Sequence, residues 1–245
     1  MTKDGWVHDR SEPHRRDIEE SWGSAMTKSA GHPETSIGKT YTLRGLFGST
    51  VRLLPLAHRA AMVWGFRSMA PDFREEIMLT VARANGCRYC SYIHQEWAIR
   101  TGVSNEEIAQ LEGTDLARFD RAKWSALVYA RALTEADFEK VPDEIAQDVA
   151  KHYTDGQIRN IKTVALVMTI VNRSANTMDA LLARLRGRPQ SSSIPAEVVI
   201  TATLVATAPV IVPLLVLVLR KSPIRLWREF RAFNAGFALG SARVA

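Results

Sequence analysis

The chain has 245 residues, 46% of them hydrophobic and 24% charged, a balance that excludes disorder throughout, a collagen-like repeat and a polytopic membrane protein. That length predicts one core of about 150 residues with extensions. Two cysteines are too few for a secreted disulfide scaffold, and Met1 to Thr35 holds no apolar run of the signal-peptide kind, which predicts a cytosolic start with reduced thiols. The net charge of +6 divides into −2 over residues 1–34, +1 over 35–183 and +7 over 184–245, so the basic excess flanks a C-terminal apolar stretch and points to anionic lipid head groups, not nucleic acid.

Residues 1–35 read as a mobile polar arm, with only a short helical hint from Arg15 to Trp22. From Ser36 the apolar spacing is helical, and it predicts segments at Leu53 to Met69, Phe73 to Ala84, Tyr89 to Thr101, Asn105 to Leu111, Arg118 to Leu133, Pro142 to His152 and Asp155 to Leu185. Start and stop chemistry falls at the breaks. Pro71-Asp72 opens one helix, Gly102 closes another before Ser104-Asn105-Glu106-Glu107, and Thr154-Asp155-Gly156 opens the last. No alternating β-branched run interrupts this pattern, so residues 36–183 are expected to form an all-α domain.

Residues 184–193 are a basic, breaker-rich linker, 194–220 a membrane helix and 221–245 an amphipathic basic tail. Val198 to Leu219 gives 22 residues without a charge. As a helix that is roughly 33 Å, enough for a ~30 Å hydrocarbon core. The competing reading is the core helix of a soluble oligomer. Pro209 and Pro213 would each release a backbone carbonyl, to be offset by the hydroxyls of Thr203 or Thr207 or by a partner helix. A simple span would leave the more basic flank (Arg220, Lys221, Arg225, Arg228, Arg231) outside, against the positive-inside rule, whereas a hairpin breaking at the prolines has a second arm, Leu214 to Leu219, reaching only roughly 9 Å. A span is the expectation, with hairpin or monotopic insertion as the alternative. In the tail, Leu226, Phe230, Phe233 and Phe237 lie opposite Arg225, Arg228 and Arg231, the pattern of a helix in the head-group plane or of a packed tail helix. Trp227 is a candidate interfacial anchor.

The chemistry sits in Glu75 to His94. Asn85-Gly86 breaks one helix, which places Cys87 at the mouth of the next, with Cys90 one turn in and His94 one turn beyond, all three on one face. Two thiols at C-x-x-C spacing close a disulfide with little backbone movement, and a helix N-terminus favours thiolate. His94 can hold the thiolate and pass a proton to an oxygen leaving it, and Glu75, on the preceding helix of a hairpin, can serve as general base. Other readings of these residues are two packed apolar cysteines, or a zinc site from Cys87, Cys90 and His94 that lacks a fourth ligand. Haem attachment is excluded because His94 does not follow Cys90 directly.

Glu75-x11-Cys87-x2-Cys90-x3-His94 resembles the signature of the alkylhydroperoxidase D-like group in the carboxymuconolactone decarboxylase family, an all-α fold. The resemblance runs over about residues 36–183 and includes Leu54-Pro55-Leu56-Ala57, Asn85-Gly86-Cys87, Arg121-Ala122-Lys123-Trp124-Ser125-Ala126-Leu127 and Val171-Asn172-Arg173. It implies that Cys90 attacks peroxide, Cys87 resolves, and Glu75 with His94 relays the proton. The best-known peroxidases of the group carry a second histidine between the cysteines, where this chain has Tyr89, still able to donate a hydrogen bond. The resemblance also implies a lipoyl-bearing or other dithiol reductant as partner, and the sequence shows no lipoyl or flavin module and no cofactor of its own. Membrane lipids and a homo-oligomer or membrane complex complete the expected partners. The readings that follow are a thiol-dependent peroxidase or disulfide reductase on the cytoplasmic face of a membrane, with lipid hydroperoxides as a natural substrate class, and a non-catalytic docking subunit of a membrane complex.

Overall fold

The computed structural model of the chain describes residues 38–111 and 120–242, all of whose regular elements are helical. The N-terminal arm lies outside them. Helix α1 (Leu43–Leu53) runs into a 3₁₀ turn at Leu54–Leu56, where Pro55 removes a backbone donor, and α2 (Ala57–Trp64) follows. The single stretch expected from Leu53 to Met69 is therefore cut at Pro55 and ends at Trp64. Then come α3 (Pro71–Ala84), α4 (Arg88–Thr101), α5 (Asn105–Gln110), α6 (Arg121–Glu135), α7 (Asp143–His152) and α8 (Asp155–Leu185).

The ends are set by the residues that suit them. Pro71 sits in the first turn of α3, where its missing N–H costs nothing. Gly102 closes α4 at φ 107, a left-handed conformation open to glycine. Ser104 with Glu107 and Thr154 with Gln157 form capping boxes on α5 and α8. The Asp120 carboxylate accepts from the N–H groups of Ala122 and Lys123 at the start of α6.

Helix α3 packs against α4, α6 and α8, and α6 against α7 and α8. The core between them contains Ile77, Val81, Ala126, Ile161 and Met168 together with Cys87 and Cys90. The motif cysteines thus belong to the main core and not to a loop at its edge.

Helix α9 (Ile194–Leu219) is continuous through Pro209 and Pro213, so the chain does not turn back at the prolines. The threonine hydroxyls do not cover the carbonyls those prolines release, at Val205 and Pro209. Thr203 Oγ1 donates to Val199, and Thr207 Oγ1 to Thr203 and Leu204. The first turns of α9 are seated on the body: Ala196 and Ile200 pack with Tyr41, and the wholly buried Glu197 accepts two hydrogen bonds of 2.8 Å from Arg184. From Val205 to Val218 the helix is largely exposed, and Leu219 at its end is buried again.

The turn occurs at Arg220, which adopts a left-handed conformation (φ 48), and α10 (Pro223–Ala242) returns toward the body. Phe230 stacks on Tyr89 with ring centres 4.9 Å apart, and Phe230 and Phe233 both lie against Tyr92. Lys221 is ion-paired with Glu96 and Glu229, and Tyr92 donates to Glu229 at 3.1 Å. Of the expected aromatic face, Phe230 and Phe233 are therefore packed on α4, the helix that carries the cysteines, as in a packed tail helix, while the Phe237 side chain lies outside the described residues. Arg228 and Arg231 remain exposed, as does Trp227.

Candidate active site

The turn between α3 and α4 is shaped by Gly86, at φ +65. Gly38 presses against it so closely that a Cβ there would lie 2.2 Å from the Asn85 carbonyl oxygen. Lys39 N–H donates to that carbonyl at 3.0 Å, and the Asn176 amide donates to it at 2.8 Å. Arg173 Nε bonds the Asn85 side chain at 3.0 Å. The segment before α1 and α8 thus clamp the turn together, and Asn176 ties the two to each other by donating to the Lys39 carbonyl at 3.1 Å.

Cys87 is the N-cap of α4, and its sulfur accepts from the Cys90 N–H at 3.3 Å. The two cysteines are joined in a disulfide with Cα atoms 5.4 Å apart, a separation native to such bridges. Cys87 is fully buried and Cys90 is 5% exposed.

The α3–α4 hairpin brings Glu75 to His94: Glu75 Oε2 lies 2.8 Å from His94 Nδ1. Both side chains are buried. Glu75 also accepts from Arg74 Nη2 at 3.3 Å, a partner that sequence spacing does not reveal. The Trp97 ring lies parallel to the imidazole with centres 6.2 Å apart, one turn along α4. With Nδ1 directed at a carboxylate, Nε2 is the ring nitrogen that can exchange a proton with sulfur or with a bound oxygen. The four expected residues, Glu75, Cys87, Cys90 and His94, therefore share one hairpin of the core.

Tyr89 lies elsewhere. Its hydroxyl donates to Asp179 at 2.6 Å, Arg88 makes two hydrogen bonds of 2.9 Å to the same carboxylate, and the Tyr89 ring lies between the Arg88 guanidinium and Phe230. Burial, with the Asp179 hydrogen bond, pushes its phenol up to about 12. Tyr89 spends its hydrogen bond on α8, so it does not stand in for a histidine at the sulfur atoms.

Beside the hairpin, Glu76 is fully buried and paired with Lys123 at 3.0 Å. Burial pushes its carboxyl up, against the pull of Lys123. This pair ties α3 to α6. Among the described residues no cluster of three or more histidine, cysteine or acidic side chains is placed to hold a metal ion.

Residues 53–136 match the profile of the carboxymuconolactone decarboxylase family, a stretch that runs from the end of α1 to the end of α6 and contains all four site residues. It covers about a third of the chain and is narrower than the resemblance read from residues 36–183. No curated protein and no solved structure matches the chain.

Proposed function

We propose that the chain is a thiol-dependent peroxidase that works on hydroperoxides at a membrane surface. The observation that carries this reading is the buried Glu75–His94 pair on the same hairpin as the Cys87–Cys90 disulfide. In the reduced enzyme the Cys90 thiolate attacks a hydroperoxide oxygen. An S–O bond forms, the O–O bond breaks, and the departing alkoxide takes a proton from His94, held in orientation by Glu75. Cys90 is then a sulfenic acid. Cys87 attacks its sulfur, the S–S bond forms, and the oxygen leaves as water with the second proton. An external dithiol returns two electrons by exchange with the disulfide. The slight exposure of Cys90 against the complete burial of Cys87 suits these two roles.

Attachment to lipid rests on α9. It is 26 residues long, about 39 Å, and only 6% of its most apolar window is buried. Arg186, Arg188, Arg220, Arg228 and Arg231 are exposed around it. Because α9 begins on α8 and α10 returns to α4, both basic flanks stay beside the same helical body, and insertion from the cytoplasmic side satisfies the positive-inside rule that a span would break. Lipid hydroperoxides are the substrate class this placement favours.

The test is consumption of cumene hydroperoxide driven by dithiothreitol or dihydrolipoamide. Cys90→Ser removes turnover, and Cys87→Ser leaves a sulfenic acid on Cys90 that dimedone labels. Equal, low turnover by wild type and both variants would reject catalysis and leave the docking-subunit reading in its place.

A further inference from the structure

Helix α1 takes no part in the chemistry above, and none of its residues is buried. Leu43, Phe47 and Val51 recur at a spacing of four and Leu54 follows in the 3₁₀ turn, so they form one stripe. The stripe is turned to solvent: Phe47 is 70% exposed and Leu54 67%. Other residues tie α1 to the body. Leu46 packs on the cluster that contains Tyr41, and the Tyr41 hydroxyl donates to Ser49 at 2.9 Å.

Two observations say what covers the stripe. The first is charge. From Ser36 to Ala70 the sequence has five basic residues and no acidic one, whereas residues 71–183 sum to −4. Arg44, next to the stripe, is exposed, and so is Arg67, beside an exposed Phe66. An apolar stripe edged by arginine suits the head-group region of an anionic leaflet. A second copy of this chain on the same stripe would instead set these arginines against one another. The second observation is position. Tyr41 and Leu46 pack with Ala196, Ile200 and Leu204, the part of α9 just before its exposed stretch from Val205, so α1 sits where α9 leaves the body.

We propose that α1 is a second membrane contact, an interfacial helix that lays Leu43, Phe47, Val51 and Leu54 into an anionic leaflet and sets Arg44 at its phosphates. This rests on the attachment of α9 to lipid proposed above. One contact leaves the body free to swivel on the bilayer, and two fix the face it presents.

The experiment uses the full oxidised chain, whose own cysteines are closed in the disulfide, with one introduced cysteine carrying the fluorophore NBD. The sites are Phe47→Cys, Val210→Cys on the exposed part of α9, and Lys140→Cys as a control, all three on exposed side chains. Vesicles are phosphatidylcholine with or without phosphatidylserine. With phosphatidylserine present, NBD at positions 47 and 210 is expected to shift to the blue and to be quenched by nitroxide-labelled lipid, and NBD at position 140 to do neither. Arg44→Gln is expected to weaken binding to the phosphatidylserine vesicles about fivefold and to leave binding to pure phosphatidylcholine unchanged. No quenching at position 47 with quenching at 210 would overturn the role of α1 and leave the attachment of α9 standing. Quenching at neither would reject that attachment, and the role of α1 would fall with it. Equal quenching at 47 and 140 would overturn the proposal by showing contact without a preferred face. A blue shift at position 47 that grows with protein concentration in the absence of vesicles would overturn it in favour of a second copy on the stripe.

Discussion

Helices α8 and α9 lie side by side and solve opposite problems. Helix α8 buries Asn160, Thr163, Thr169, Asn172, Asn176, Thr177 and Asp179 in the body, while α9, uncharged from Val198 to Leu219, buries only Ala196, Glu197, Ile200 and Leu219. The more polar helix is the inner one. Its polar groups are there because the turn before Cys87 needs partners, which Thr169, Arg173 and Asn176 supply. The apolar helix is outside because no face of it is distinguished from another, so the body covers only its two ends and the stretch between them needs a different solvent.

The largest effect that sharpens this contrast belongs to the inner side. Glu75→Gln keeps the shape of the buried pair and removes the charge facing His94, and kcat/KM for hydroperoxide is expected to fall about 100-fold in a dithiol-coupled assay. A fall below about threefold would break the link between buried polarity and chemistry.

On the outer side, Leu214→Asp with Leu217→Asp places two carboxylates on the exposed stretch of α9. They remove apolar surface available to lipid and are expected to move the protein from the membrane fraction to the soluble one in sedimentation of lysates. Turnover of a water-soluble hydroperoxide is expected to be unchanged. A cysteine replacing Arg228, on a Cys87→Ser, Cys90→Ser background, is expected to resist a membrane-impermeant thiol reagent in intact cells and to react after lysis. Labelling in intact cells would mean that the tail crosses the bilayer.

The smallest effect concerns the joint between the two regions. Arg225 and then Lys221 hold the Glu229 carboxyl down to about 2. A depressed carboxylate contributes stability that is complete above its ordinary pKa of about 4.3 and is lost as pH falls through its folded value. The contact of α10 with α4 is therefore expected to weaken between about pH 4 and 2, as read by Trp227 fluorescence, and Glu229→Gln is expected to flatten that change.

Where the sequence is legible, for the fold and for the site alike, the reason is local. The bounds of α8 agree with the expected Asp155 to Leu185, because Thr154 and Gln157 cap one end and Gly187 follows the other. Cys87 falls at the mouth of α4 because Asn85-Gly86 cannot continue a helix. The proximity of Glu75 and His94 follows from a hairpin whose two helices are both evident in the apolar spacing. What is not legible depends on distant partners. A stripe of Phe230 and Phe233 opposite arginines reads alike whether lipid or a pair of tyrosines covers it, since both are apolar. Arg74 stands beside Glu75 in the chain, but only folding turns its guanidinium toward the carboxylate. Asn172 stands in the tripeptide Val171-Asn172-Arg173, and nothing in its neighbours marks an amide that ends buried and without a hydrogen-bond partner among the described residues.

The clamp on the CxxC turn also has a consequence for the order of events during synthesis. Gly38 to Tyr41 leave the ribosome first, yet the Tyr41 N–H bonds Thr177 Oγ1, made 136 residues later. At the ordinary pace of translation that delay is on the order of ten seconds. Once Cys90 has been added, both cysteines are present for the rest of that delay while α8, which steadies their turn, is incomplete. The nascent chain therefore carries an unfastened pair of thiols, Cys87 included, which the finished core buries completely.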